Sequence, residues 1–440
     1  MKKGFSHILL VIISLISYSS PAQEKWTLNQ CIEYAIKNNI DVQQNILNIK
    51  KSELTVSSSK FSRLPNLNAN LREDLYFGRS PSISGIYTNY NKSATNIGIS
   101  TDITVYSGLR IKNTIKRDEL NLLADMEQLS KIKEDLSLSI TALYLEVLSY
   151  KEQVKIAEQQ LQYSDSLVLL NKLLFENGRS TENNYYSSKA LRAKDDLALT
   201  ESRNYLALAL LKLSQALNLE NPQGFDVEPP IDTLSFNPLS PINIYNYAVK
   251  NHPAIRVAEL QLQSMEQQLK IDKSYLYPSI SLSAGYNNSY YHSFSSGSSN
   301  LLFGQQMRHN GNETAGLNIR IPIFNRLTYK NQIAARKIDI QTQELNLLNA
   351  KQQLNKEINE AYYNAEIARK NYIAAEEARE AALIAFYYEK EKVMSGKSTI
   401  FDFSNAKNEL LHSELTMITS KYEYIFRCKI LNFYQGIPLY

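Results

Sequence analysis

Ser395-Gly396-Lys397-Ser398-Thr399 is the stretch of this chain closest to a chemical motif, because a glycine turn followed by Lys and Ser/Thr can cradle a phosphate. A phosphate loop also needs a glycine five positions before Gly396 and a strand leading into it. The chain has Glu391 there, within a helical pattern. Gly178-Arg179-Ser180-Thr181, 218 positions earlier, reads as the same element used as a turn between helices. Nucleotide chemistry is therefore set aside. The histidines (His7, His252, His292, His309, His412) show no metal-ligand spacing, although His292 and His309 share one polar loop. Neither a Ser-His-Asp order nor an isolated carboxylate pair stands out, so no catalytic site, cofactor or metal is expected. Tyr76, Tyr87, Tyr90, Tyr286, Tyr290 and Tyr291 cluster at strand and loop ends, which suits an aromatic girdle at a membrane surface.

Composition narrows the class further. A formal net charge of +4 over 440 residues gives no strong field for nucleic acid. Residues 1–22 read as a secretory signal peptide, with two lysines, the apolar run Ile8 to Ile13 and a small-residue site at Ala22. Cys31 and Cys428 are too few for a disulfide scaffold. A Cys31–Cys428 bridge remains open, with buried free thiols the preferred reading. Beyond the signal no stretch approaches the ~18 apolar residues of a spanning helix, yet a secreted chain can also cross a membrane as strands.

What positions these residues is an internal tandem repeat. Tyr34-Ala35-Ile36-Lys37-Asn38 matches Tyr247-Ala248-Val249-Lys250-Asn251, and Leu64-Pro65-Asn66-Leu67 matches Tyr277-Pro278-Ser279-Ile280, both 213 positions apart. Ile103-Thr104-Val105-Tyr106 matches Ile321-Pro322-Ile323-Phe324 at 218. Repeat 1 covers 23–220 and repeat 2 covers 242–440, joined by a proline-rich linker at 221–241. Period-two alternation predicts strands at about 66–77, 94–106, 279–291 and 313–324. Leu67, Ala69 and Leu71 alternate with Asn66, Asn68 and Asn70, and Leu317, Ile319, Ile321 and Ile323 with Asn318 and Arg320. Long polar loops, 78–93 and 289–312, separate the members of each pair. Heptad-like spacing free of proline and internal glycine predicts helices at about 109–177 and 327–395, each roughly 100 Å long at 1.5 Å per residue. After the glycine turns the chain returns through helices at about 181–219 and 399–431.

An apolar and a polar face on every strand fit a lipid-exposed, water-lined barrel, and fit equally a sheet packed on a soluble core. If the strands enter a membrane, four cannot close, since about eight is the smallest barrel with room for side chains. Several chains must then share one barrel, two giving eight strands and three giving twelve. The competing reading is a secreted trimeric coiled-coil structural protein or adhesin without a pore.

In the order and spacing of these parts the chain resembles the TolC-like outer-membrane efflux proteins across essentially its whole mature length. Leu64-Pro65 and Tyr277-Pro278 open strands, Ile321-Pro322-Ile323-Phe324-Asn325 closes one, and Gly178 and Gly396 form the tips. The resemblance implies an α+β membrane protein: a homotrimer whose twelve-stranded β-barrel, four strands per chain, continues into a long α-helical coiled-coil barrel in the periplasm. It implies the exit duct of a tripartite efflux pump or type I secretion system. The partners would be a periplasmic adaptor and an inner-membrane transporter of the resistance-nodulation-division or ABC type, with outer-membrane lipid around the barrel. By distance from the tip glycines, Asp402 falls where the family often carries an aspartate ring, with Asn184 its match in repeat 1 and Asn405 one turn on. These three are the candidate periplasmic gate. Ser398 stands where the family has a tip arginine, beside Lys397, so the lock of such a gate must differ. Gly178, Arg179, Ser180, Gly396, Lys397 and Ser398 are the candidate adaptor-contact tip.

Overall fold

The computed structural model describes residues 25–81, 83–220, 222–229, 239–294 and 299–437. The signal peptide and the linker prolines Pro230 and Pro238 lie outside the described residues. Helices α1 (Leu28–Asn38) and α2 (Ile40–Phe61) precede strand β1 (Asn68–Tyr76), the short ribbon β2 (Arg79–Pro81) and β3 (Tyr87–Asn89), and the long β4 (Lys92–Ser107). Helices α3 (Arg110–Glu176) and α4 (Glu182–Ala216) follow. The order then recurs as α5 (Pro241–Asn251), α6 (Pro253–Ser274), β5 (Ser279–Ser293), the short α7 (Phe303–His309), β6 (Asn312–Arg320), α8 (Thr328–Met394) and α9 (Ile400–Tyr434). Lengths recur too: α3 and α8 have 67 residues each, α4 and α9 have 35 each. Among the described residues no helix is long and apolar enough to cross a membrane.

Some details differ from the sequence reading. The fourth strand stops at Arg320 instead of running to 324, because Pro322 has no N–H for a ladder. Ile321 and Ile323 therefore leave the strand face assigned to them. The loop expected at 78–93 holds the β2–β3 ribbon, and the one at 289–312 holds the end of β5 and all of α7.

The chain divides into two compact units, both crossed by α3 and α8. One comprises 47–127 and 256–350 and carries the strands. Its main sheet is antiparallel in the order β1-β4-β5-β6, with a bulge in β4 between Thr104 and Tyr106. At the root of the sheet, Gly108 and Leu109 turn β4 into α3 with φ of 64° at both, and Arg326 and Leu327 do the same before α8 with φ of 56° and 63°. A left-handed residue with a Cβ costs about 1–2 kcal/mol, so repeat 1 meets the demand with glycine and repeat 2 tolerates it with Arg326. Arg326→Gly is expected to stabilise the protein by up to about 1 kcal/mol, read as a higher unfolding temperature. Behind the turns, Asp272 on α6 is fully buried and accepts from Arg336 Nε (3.0 Å) and Gln332 Nε2 (3.2 Å) of α8.

The other unit comprises the described residues of 1–46, 128–255 and 351–440 and is helical. Its main core packs Cys31, Ile32 and Ala35 of α1 against Ile140, Tyr144 and Val147 of α3, Leu213 of α4 and Ile418 of α9. The described part of the linker joins this core: Val227 is fully buried, bridged to Trp26. The Tyr144 hydroxyl donates to the carbonyls of Trp26 (3.0 Å) and Glu228 (2.5 Å). Cys31 and Cys428 are both free. Burial pushes the Cys31 thiol up to about 12 and that of Cys428 up to about 11, so both stay protonated.

Candidate functional site

Strand register decides which side chains share a face of the sheet. Asp102 pairs with Ser283, Ile103 with Leu282, Leu282 with Leu317, and Ser283 with Gly316. Asn68, Asn70, Arg72 and Asp74 of β1, Asn96, Ser100 and Asp102 of β4, Ser281 and Ser283 of β5, and Thr314, Asn318 and Arg320 of β6 therefore line one polar face. Leu71, Ile97, Ile99, Ile103, Ile280, Leu282, Leu317 and Ile319 line the other. That apolar face is bare: Leu71, Leu317 and Ile319 are 73, 61 and 54 % exposed. Glu73, bonded by the Thr95 hydroxyl, and Glu313 at the start of β6 are its acidic interruptions. β1 and β6 are open edges. A sheet resting on a soluble core would have hidden one face, and this one hides neither.

The expected tyrosine girdle divides between the two faces. Tyr286 and Tyr290 stand on the apolar side, whereas Tyr76 and Tyr291 stand on the polar side with Lys92. Beyond the start of β6, side-chain amides replace the missing strand along the β5 edge. Gln306 of α7 accepts from Tyr291 N (2.9 Å) and donates to Tyr291 O (2.8 Å). Asn300 makes the same pair with Ser293, at 2.8 and 2.9 Å.

In the helical unit, the tip glycines close α3 and α8 identically. Gly178 N donates to Phe175 O and Arg179 N to Leu174 O; Gly396 N donates to Val393 O and Lys397 N to Lys392 O. With φ of 67° and 73°, both glycines occupy the left-handed position that ends a helix without a Cβ penalty. Thr181 and Thr399 then cap α4 and α9 by accepting from Asn184 N (3.3 Å) and Asp402 N (3.1 Å). The Asp402 carboxylate accepts from the Thr399 hydroxyl at 2.6 Å and is exposed, as is Asn405. Asn184 is half-buried and donates to Ser180 Oγ at 3.1 Å. The Ser398 hydroxyl donates to Glu389, and that bond, helped by Lys392, holds the Glu389 carboxyl below its ordinary range. The fold thus brings Gly396, Lys397, Ser398 and Asp402 into one turn, and Gly178, Arg179, Ser180 and Asn184 into its counterpart.

Behind the tips, Phe386 and Phe403 pack at 5.6 Å and Tyr163 reaches Phe386 at 4.9 Å, tying α3, α8 and α9 together. Beside that apolar knot lies a polar group the sequence reading missed. Lys407 of α9 is fully buried; its ammonium donates to Ser164 Oγ of α3 at 2.7 Å and to the Asp195 carboxylate of α4, which also receives the Ser164 hydroxyl. Burial pulls the Lys407 pKa below its ordinary value while Asp195 draws it back up. Two turns along α9, Glu414 is buried 3.9 Å from Arg379. One Glu414 oxygen, Arg379 Nε and the adjacent Gln160 amide have no hydrogen-bond partner among the described residues, and burial raises the Glu414 pKa. A signal was available: Lys407 and Glu414 occupy positions of the apolar stripe Phe403, Leu410, Ile418, where a charge is anomalous.

The family model for outer membrane efflux proteins matches residues 244–426. The chain is 20% identical over 416 residues to outer membrane efflux protein BepC of Brucella suis, covering 94% of this chain and 86% of that one. It is 19% identical over 408 residues to toxin and drug export protein A of Aggregatibacter actinomycetemcomitans, covering 90% and 83%. Among solved structures, the outer membrane protein VceC of Vibrio cholerae aligns with a TM-score of 0.76 at 17% identity, over 94% of this chain and 97% of that one.

Proposed function

The chain belongs to the outer membrane efflux protein family, and from that premise we propose that three copies close one twelve-stranded barrel. The protein is an outer-membrane channel with a large periplasmic helical extension, the exit duct of an efflux or secretion system. The observation that carries this reading is the sheet with two open edges, one bare apolar face and one polar face. In hydrocarbon each unsatisfied edge group costs several kcal/mol, and β6 of one copy is antiparallel to β1 of the next, so a closed ring removes every edge. The matching lengths of α3 and α8, and of α4 and α9, support the tandem repeat and a periplasmic tunnel of twelve long helices.

Energy and cargo choice belong to the partners, an inner-membrane transporter of the resistance-nodulation-division or ABC type and a periplasmic adaptor. The adaptor would meet the exposed turns at Gly178-Arg179-Ser180 and Gly396-Lys397-Ser398. Three Asp402 carboxylates would form a cation-favouring ring at the periplasmic end, with Asn184 and Asn405 beside it. Exposure of Asp402 supports this role, although its bond to Thr399 also serves the helix cap. The test is gel mobility with and without heating, followed by conductance in planar bilayers. A heat-dissociated trimer that conducts is expected, and a soluble, heat-insensitive monomer would overturn the duct. Asp402→Ala should reduce cation preference; an unchanged reversal potential would remove the ring alone.

A further inference from the structure

On the polar face of the sheet, β5 presents Ser279, Ser281, Ser283, Gly285, Asn287 and Ser289 in turn, all small, and then Tyr291. β1 likewise ends on Tyr76 after Asn68, Asn70, Arg72 and Asp74. The far end of this face therefore carries aromatic rings, where the β5 row leading to it carries only short side chains. Lys92 stands among them, its ammonium 4.5 Å from the Tyr90 ring centroid, 4.8 Å from Tyr291 and 5.3 Å from Tyr76.

The cage is built to stay in place. Tyr90 N donates to Gly78 O (2.7 Å) and Gly78 N to Asn91 Oδ1 (2.8 Å), pinning the ribbon that carries Tyr90, whose ring meets Tyr76 edge to face at 6.1 Å. Tyr291 is held on both sides, by its pairing with Ala94 of β4 and by the Gln306 amide on its outer edge. Ring faces attract a cation without neutralising it. The nearest acid on the same face of β1, Asp74, is engaged by Arg72 at 2.8 Å, and Lys92 forms no ion pair among the described residues. A full positive charge is thus fixed in a narrow aromatic frame.

We propose that Lys92, framed by Tyr76, Tyr90 and Tyr291, forms an anion-selecting constriction at the exit end of the channel. This rests on the duct reading, in which the polar face lines water and threefold symmetry repeats the charge. A ring of like charges raises the local concentration of the opposite ion and repels its own sign. Anionic solutes therefore pass this end more easily than cations of the same size.

The test uses the full-length trimer in planar bilayers under a KCl gradient, in an Asp402→Ala background so that the periplasmic tip does not set the reversal potential. Lys92→Gln is expected to raise the ratio of potassium to chloride permeability at least twofold, Lys92→Arg to leave it near the parent value, and Tyr291→Ala to raise conductance. Identical reversal potentials for the parent and Lys92→Gln, with trimers intact on gels, overturn the constriction and leave the duct standing. Absence of any conductance in the unmutated protein overturns the duct, and the constriction with it.

Discussion

Lys407→Met lowers the stability of the helical unit by about 3–5 kcal/mol, the loss expected when one member of a buried ion pair is removed and the other stays behind. Methionine nearly preserves the volume of the lysine stem, so a cavity is not the cause. The loss comes from Asp195, whose carboxylate is left in a nearly closed site with only the Ser164 hydroxyl to answer it. Adding Asp195→Asn to the same chain should recover more than half of the deficit, because no uncompensated charge then remains. Lys189 occupies the position of repeat 1 that corresponds to Lys407, and it is exposed above the rings of Tyr185 and Tyr186. Lys189→Met should therefore change stability by no more than about 0.5 kcal/mol. Thermal unfolding in detergent, followed by helical circular dichroism, reads all three. A Lys407→Met protein as stable as its parent, with Asp195 intact, would mean that this carboxylate is hydrated and the pair is not buried.

That network also marks how far the sequence could be read. Long helices, glycine tips and alternating strands follow from local chemistry: no helix breaker from 109 to 177, a glycine where φ must turn positive, and a polarity period of two. Local chemistry also put Asp402 at the third position of its helix, three residues after a threonine able to cap it. Contacts between the repeats carry only a partial mark: the apolar stripe of α9 flags Lys407 as anomalous but does not name its partners. Ser164, Asp195 and Lys407 meet across three helices, and the positions that correspond to them in the other repeat are Ala382, Ser413 and Lys189, which cannot rebuild the same triad. Comparing one copy with the other hides an interaction that exists only between them. The tyrosines at the strand ends show a related limit. Composition collects them into one girdle, but register, set by pairings such as Ala94 with Tyr291, sends them to opposite faces. Proline chemistry, by contrast, was legible and under-weighted: β6 ends at Arg320, where its partner β5 begins at Ser279 after Pro278, and Pro322 has no N–H to extend the ladder.

Register also makes adjacent residues of one strand behave as opposites, and the largest such contrast is expected at Leu282 and Ser283. Leu282 lies between Ile103 and Leu317 on the bare apolar face, while Ser283 lies between Asp102 and Gly316 on the polar one. In a lipid-facing sheet, Leu282→Lys places an ammonium in hydrocarbon at a cost of about 2–4 kcal/mol near the midplane. In the proposed trimer that cost is paid three times over, and it should deplete the heat-modifiable form from the outer-membrane fraction. Ser283→Lys turns the same charge toward water, beside the Asp102 carboxylate, and should leave trimer yield close to that of the unmutated protein. An opposite ranking would mean that the two faces are interchanged. Equal tolerance of both lysines would mean that neither face meets lipid, because no water-exposed sheet distinguishes two neighbouring lysines by several kcal/mol.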